Sequence, residues 1–161
     1  MIVVSNTSPL VNLLTVNQAT VLEDIFGIIH IPSEVEVEFE LLRQNNTKFK
    51  NLNFPAFIKV QPVQNRDHYQ LLRLHLDDGE ATAIALAMEM KADLLLMDEI
   101  LGRGEAGRLS IKTTGCIGIL LQAKSKKLIP AIRPILEQLE SEAGFYLSQE
   151  ITDYALELAG E

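Results

Sequence analysis

Cysteine, tryptophan and positive charge are scarce in this 161-residue chain, which has one Cys, no Trp, and 14 Lys and Arg against 22 Asp and Glu. The lone thiol, Cys116, excludes an intramolecular disulfide framework and suits a reducing compartment. No apolar run approaches the ~20 residues of a membrane span. The start MIVVSNT has neither the basic n-region nor the long apolar h-region of a signal peptide. The expected location is therefore the cytoplasm. A formal charge of −8 repels a polyanion, so nucleic acid requires a local basic face or cations that neutralise the acids. His30, His68 and His75 are scattered without ligand spacing, and zinc would want His or Cys.

What the chain does have is a 47% hydrophobic content, enough to close one full core, and the expectation is a single domain over residues 1–161. Short apolar runs at residues 2–5, 28–31, 58–63 and 93–97 read as buried strands. Between and after them lie helical patterns over 8–16, 19–26, 32–43, 67–74, 78–90, 116–125, 131–142 and 148–158. Ser8 reads as the N-cap of the first and Pro9 as its N1 residue. Strands alternating with helices predict an α/β fold with a central parallel sheet. The Asn- and Lys-rich stretch 44–53 reads as a loop.

Against this apolar background, single acids stand where the local pattern calls for something else. At ~100° per residue, the helix from Pro32 presents Val35, Phe39 and Leu42 to the core, and Glu38 falls between Leu42 and Leu41 on the same arc. Glu36 and Glu40 point away. On the helix from Asp78, Glu80 lies one turn from Ala83 and Ile84, again inward. A carboxylate facing a core is costly unless it is paired, protonated or bound to a cation. Asn6 and Asp98 each follow a predicted strand, where open α/β sheets place their sites. Together these oxygens suit Mg²⁺ or Mn²⁺, as phosphodiester hydrolysis requires. The plainer readings are a helix-end preference for Glu80, a cap for Asp98 and a wetted rim for Glu38.

Five segments occur in order: VVSNTSPLVNL (3–13), IPSEVEVEFE (31–40), LDDGEATAIALA (76–87), LLLMDEILGR (94–103) and TGCIGILLQAK (114–124). Together they resemble the PIN-domain family, in particular a VapC-like branch of predicted nucleic-acid-binding proteins, and the likeness extends to the closing GFYLS and LAGE stretches. The resemblance implies a three-layer α/β/α domain and a Mg²⁺- or Mn²⁺-dependent endoribonuclease acting on RNA. It also implies a homodimer and a cognate antitoxin protein as partners. The family's acidic positions map onto Asn6, Glu38, Glu80 and Asp98, the last three as catalytic carboxylates. Glu99 is the accessory candidate of that mapping; Thr7, Ser8 and Thr114 offer hydroxyls near the metal or phosphate, and Arg103 a guanidinium contact to phosphate if the acidic pocket is active.

Asn6 departs from the family's Asp: it keeps an oxygen ligand but removes a charge, which implies weaker metal binding and an attenuated enzyme. The alternative is a PIN-like module that binds RNA or protein without turnover. Cys116 stands where many relatives carry a hydroxyl, implying a lost polar contact. For a dimer interface the candidates are Leu10, Leu13, Leu14 and Val16, whose spacing suits ordinary core equally well. Gly102, Gly104 and Gly107 spell GxGxxG, but the run starts several residues after its strand and no acid follows about twenty residues on, so a dinucleotide site is not expected. Arg103 and Arg108 read as helix charges, and Lys124, Lys126 and Lys127 as a solvated face.

Overall fold

A computed structural model describes residues 1–161. Five strands, β1 (Val3–Ser5), β2 (Ile29–Ile31), β3 (Ile58–Val60), β4 (Leu94–Leu96) and β5 (Thr113–Thr114), form one sheet in the order β3-β2-β1-β4-β5, with every neighbouring pair parallel. The helices are α1 (Thr7–Thr15), α2 (Ala19–Phe26), α3 (Ser33–Asn45), α4 (Asp67–Leu72), α5 (Asp78–Met90), α6 (Ile100–Arg108), α7 (Cys116–Ser125), α8 (Arg133–Ser141) and α9 (Gln149–Ala159). None is long and apolar enough to cross a membrane.

Side chains alternate across a strand, so the two valines of β1 face opposite layers. Val3 joins a cluster with α1, α2, α7, α8 and α9, while Val4 joins one with α4, α5 and α6. The result is the expected three-layer α/β/α arrangement. Leu10, Leu13, Leu14 and Val16 are all buried, so ordinary core is their role and none offers a dimer face. A third cluster joins Val11 and Leu14 of α1 to Phe39 of α3 and Phe49 of a 3₁₀ turn at Thr47–Phe49, inside the stretch expected as loop.

Several boundaries differ from the sequence expectation. The first helix starts at Thr7, with Asn6 rather than Ser8 as N-cap, because the chain leaves β1 straight into helix. Pro32 caps α3 rather than opening it, and β3 ends at Val60 rather than Val63. The GxGxxG run lies inside α6, where Gly102 makes room for the Met97 side chain. Lys124 is not simply solvated: its Nζ donates to the Ala159 carbonyl at 2.5 Å and to Glu161 at 2.9 Å, tying α7 to the end of α9.

Strand order sets where a site can form. From β1 the chain runs outward through β2 and β3, then returns to lay β4 and β5 on the other side of β1. The β1/β4 boundary is therefore the topological switch point, and open parallel sheets bind ligands beyond the strand ends there. Asn6 directly follows β1, and Asp98 and Glu99 follow β4.

Candidate functional site

Asn6 is buried, 4% exposed, between the equally buried Ser5 and Thr7. Its backbone N–H donates to the Leu96 carbonyl at 3.0 Å, and its Nδ2 donates to Glu99 Oε2 at 3.2 Å. Its Oδ1 is buried without a partner, as is Thr7 Oγ1. A buried acceptor left unpaired costs on the order of 1–3 kcal/mol. Both atoms lie near Glu38, which α3 directs inward while Glu36 and Glu40 stay exposed, as the helical phase predicts. Burial raises the Glu38 pKa, and the nearby Thr7 hydroxyl only restrains that rise, since the pair falls short of a well-formed hydrogen bond. Gly79 of α5 makes the close approach possible, since a Cβ there would collide with Glu38 Oε2 and stand 3.2 Å from Asn6 Oδ1.

Asp98 is held from one side. Its Oδ1 accepts from the Cys116 backbone N–H at 2.7 Å and its Oδ2 from the Cys116 thiol at 3.2 Å. Cys116 thus keeps a polar contact to Asp98, and the contact expected to be lost with the hydroxyl is present. Gly115 permits it, because a Cβ there would meet Asp98 Oδ1. Thr114 lies on β5 with its hydroxyl against the start of α7, in the space left by Gly118. Arg103 is exposed on α6, and its charge reaches Asp98.

Glu80 takes up the helix-end role. It stands at N3 of α5, where its Oε2 accepts from the Asp77 N–H at 3.2 Å while Asp77 Oδ1 accepts from the Glu80 N–H at 2.8 Å, a reciprocal capping box. The helix-end preference is therefore realised, yet the Glu80 charge still bears on Glu38 and Glu99. Asp77, which sequence reasoning passed over, raises both Glu38 and Glu80; the DxxE spacing was its signal.

With Glu80 turned back to its helix and Asp98 engaged by Cys116, no three His, Cys, Asp or Glu side chains are close enough to hold a metal ion as placed. The arrangement is a row of oxygen donors along the switch point, ending at the unpartnered Asn6 Oδ1. Glu38 and Gly79 also form one wall of an adjoining cavity of about 680 Å³.

A family model described as a PIN domain matches residues 2–161. The chain belongs to the PIN-domain family. That membership carries a nuclease-like fold and, in general, divalent-metal use and nucleic-acid binding. No curated protein and no solved structure matches the chain.

The acids of this PIN domain repel one another. Glu38, Glu80, Asp98 and Glu99 all titrate above their ordinary values, in each case chiefly because burial penalises the charged form. Asp77 adds to the rise at Glu38 and Glu80, whereas hydrogen bonds from Cys116 restrain the rise at Asp98. Unfolded, these groups titrate near 4.5 for Glu and 3.8 for Asp. Folded, they hold protons to higher pH, so stability falls as pH rises from the unfolded values through the folded ones. Glu161, lowered chiefly by the hydrogen bond from the Ile132 N–H, works in the opposite sense. Calorimetry without divalent cation should therefore give a higher Tm at mildly acidic pH than at neutrality, with Mn²⁺ narrowing the gap at neutrality. A Tm that climbs steadily to neutral pH would mean the four acids are compensated within the fold.

Proposed function

We propose that this PIN domain is a divalent-metal-dependent ribonuclease of the VapC type, attenuated by Asn6. The observation that carries the reading is Asn6 Oδ1, a buried acceptor without a partner, next to Glu38 at the switch point in a space that Gly79 leaves open. The side chains proposed to hold the cation, Asn6, Glu38, Glu80 and Asp98, each offer a hard oxygen, which suits Mg²⁺ or Mn²⁺ in kind. Asn6, Glu38, Glu80 and Asp98 would hold the cation, Glu80 by swinging out of its capping box and Asp98 by giving up one contact to Cys116. When bound, the cation supplies Lewis-acid polarisation of the phosphodiester and a lowered pKa for coordinated water. Glu38, Glu80 and Asp98 are the catalytic carboxylates of this reading. Glu99, already oriented by Asn6, takes the proton of the attacking water, and Thr7, Thr114 and Arg103 flank the phosphate.

The deciding experiment is cleavage of single-stranded RNA with Mn²⁺ against EDTA. Wild-type protein should cleave only with the cation, and Glu38→Gln should reduce the rate by more than about a hundredfold, beyond what a change outside the ligand set produces. A cation-independent rate, or full activity in Glu38→Gln, removes the mechanism. One observation favours a second reading: Asp98 has both oxygens engaged by Cys116, and the acids stand apart. A catalytically silent PIN-like module that binds RNA or protein would bind without cleaving under the same conditions. The VapC-type reading brings a cognate antitoxin protein and a homodimer as partners, and light scattering at micromolar concentration separates dimer from monomer.

A further inference from the structure

The cavity beside Glu38 and Gly79 has a wall that the acidic cluster does not explain. Glu34, Val37 and Leu41 of α3 share one helical stripe with Glu38, and the two apolar members remain 59% and 51% exposed. Opposite them stand Arg66, at the start of α4, and Arg73, just past its end. Arg66 Nη1 pairs with Glu34 Oε2 at 2.5 Å, and its guanidinium lies 5.0 Å from the Tyr69 ring centroid. Arg73 pairs through Nε with Asp78 at 2.9 Å and donates from Nη1 to the Leu76 carbonyl at 2.7 Å. Each guanidinium keeps unused donors, and exposed ion pairs of this kind contribute little, so exchange onto another anion costs little. Glu34 Oε1 is itself buried without a partner, a second imperfect contact in the resting arrangement.

We propose that this cavity seats one nucleotide of a single-stranded RNA beside the scissile bond, with Arg66 and Arg73 on its phosphate and the Val37–Leu41 stripe beneath its base. The inference rests on the ribonuclease reading for its position relative to the chemistry. Size fits, since about 680 Å³ lies within the range of small-ligand pockets and suits one base, sugar and phosphate. Guanidinium forks match phosphate geometry, and an unpaired base can lie on an apolar surface, whereas the bases of a duplex are not available to it. Charge makes binding conditional. Glu34 and Asp78 are matched by the two arginines, while Glu38 and Asp77 are not, so the cavity admits a polyanion well only when a divalent cation offsets the remaining pair.

The test is fluorescence anisotropy of a short, unstructured, labelled oligoribonucleotide, with Ca²⁺ in place of Mn²⁺ to suppress cleavage. Arg66→Ala and Arg73→Ala should each weaken binding several-fold and flatten the salt dependence by about 0.7 in log–log slope. Glu34→Gln, which frees the Arg66 fork, should strengthen binding. Opposite signs from the two halves of one ion pair are not produced by a folding defect. Arginine variants that are folded by circular dichroism and bind RNA as wild type does, with the same salt slope, overturn the proposal. So does a cavity that ignores RNA but takes up a lysine-rich peptide in a Glu34-dependent way, which would make it a protein-docking site. If arginine-dependent RNA binding is present in Ca²⁺ while wild type cleaves no RNA in Mn²⁺, the ribonuclease reading fails and the nucleotide seat stands.

Discussion

Asn6→Asp should tighten Mn²⁺ binding by at least about tenfold, since even changes outside the ligand set shift metal affinity by that much. The side chain is 4% exposed, keeps nearly the same shape, and already aims an unpartnered oxygen toward Glu38. What changes is charge. Without metal the substitution should be harmful: the amide hydrogen bond to Glu99 Oε2 is lost and a new carboxylate faces those of Glu99 and Glu38. An uncompensated buried charge costs on the order of 3 kcal/mol, roughly 6–12 °C in Tm for a chain of this length. The variant should therefore be less stable than wild type in EDTA and show a larger Mn²⁺-dependent rise in Tm. RNA cleavage should increase along with affinity. A variant that loses apo stability while calorimetry shows no metal binding in either form would refute the cation site, leaving Asn6 as a buried amide that steadies Glu99.

Much of this arrangement was legible in the sequence because it rests on periodicity. Continuous apolar runs marked β1 and β4 as strands covered on both faces, and the phase of α3 set Glu38 apart from Glu36 and Glu40. Where periodicity is absent, the reading failed. Thr113–Thr114 is a strand of two residues, too short to carry a pattern, and is recognised only through its pairing with Leu95 and Leu96. The helix Ile100–Arg108 contains three glycines and lacks a clear apolar face. Arg66 and Arg73 reach the Glu38 wall only because α4 packs against α5, a tertiary fact that no local spacing announces. Glu80 gave a half-correct answer: its phase is inward, but in the first turn of a helix the nearest unsatisfied donors are backbone N–H groups, and its carboxylate turns to them.

Gly79→Ala should separate site from fold more cleanly than any change to an acid. Gly79 is the N2 residue of α5, inside a first turn already fixed by the Asp77–Glu80 capping box. By intrinsic propensity, alanine in a helix is favoured over glycine by up to about 1 kcal/mol. Against that gain stands the collision of the new Cβ with Glu38 Oε2 and its approach to 3.2 Å from Asn6 Oδ1. The obstructing atom is the far end of a flexible side chain, and the adjoining cavity of about 680 Å³ gives it somewhere to go. Glu38 should therefore swing away at little cost to the fold, so that Tm in EDTA stays at or above the wild-type value. Mn²⁺ affinity should fall more than about tenfold, and cleavage should fall with it. Glu38→Ala together with Gly79→Ala should recover most of the helix-propensity gain without restoring metal, because the collision with Glu38 is gone, leaving only the approach to Asn6 Oδ1, and so is the ligand. Wild-type Mn²⁺ affinity in a folded Gly79→Ala protein would mean that Glu38 is not a ligand, and the acid that faces Asn6 would then need another role.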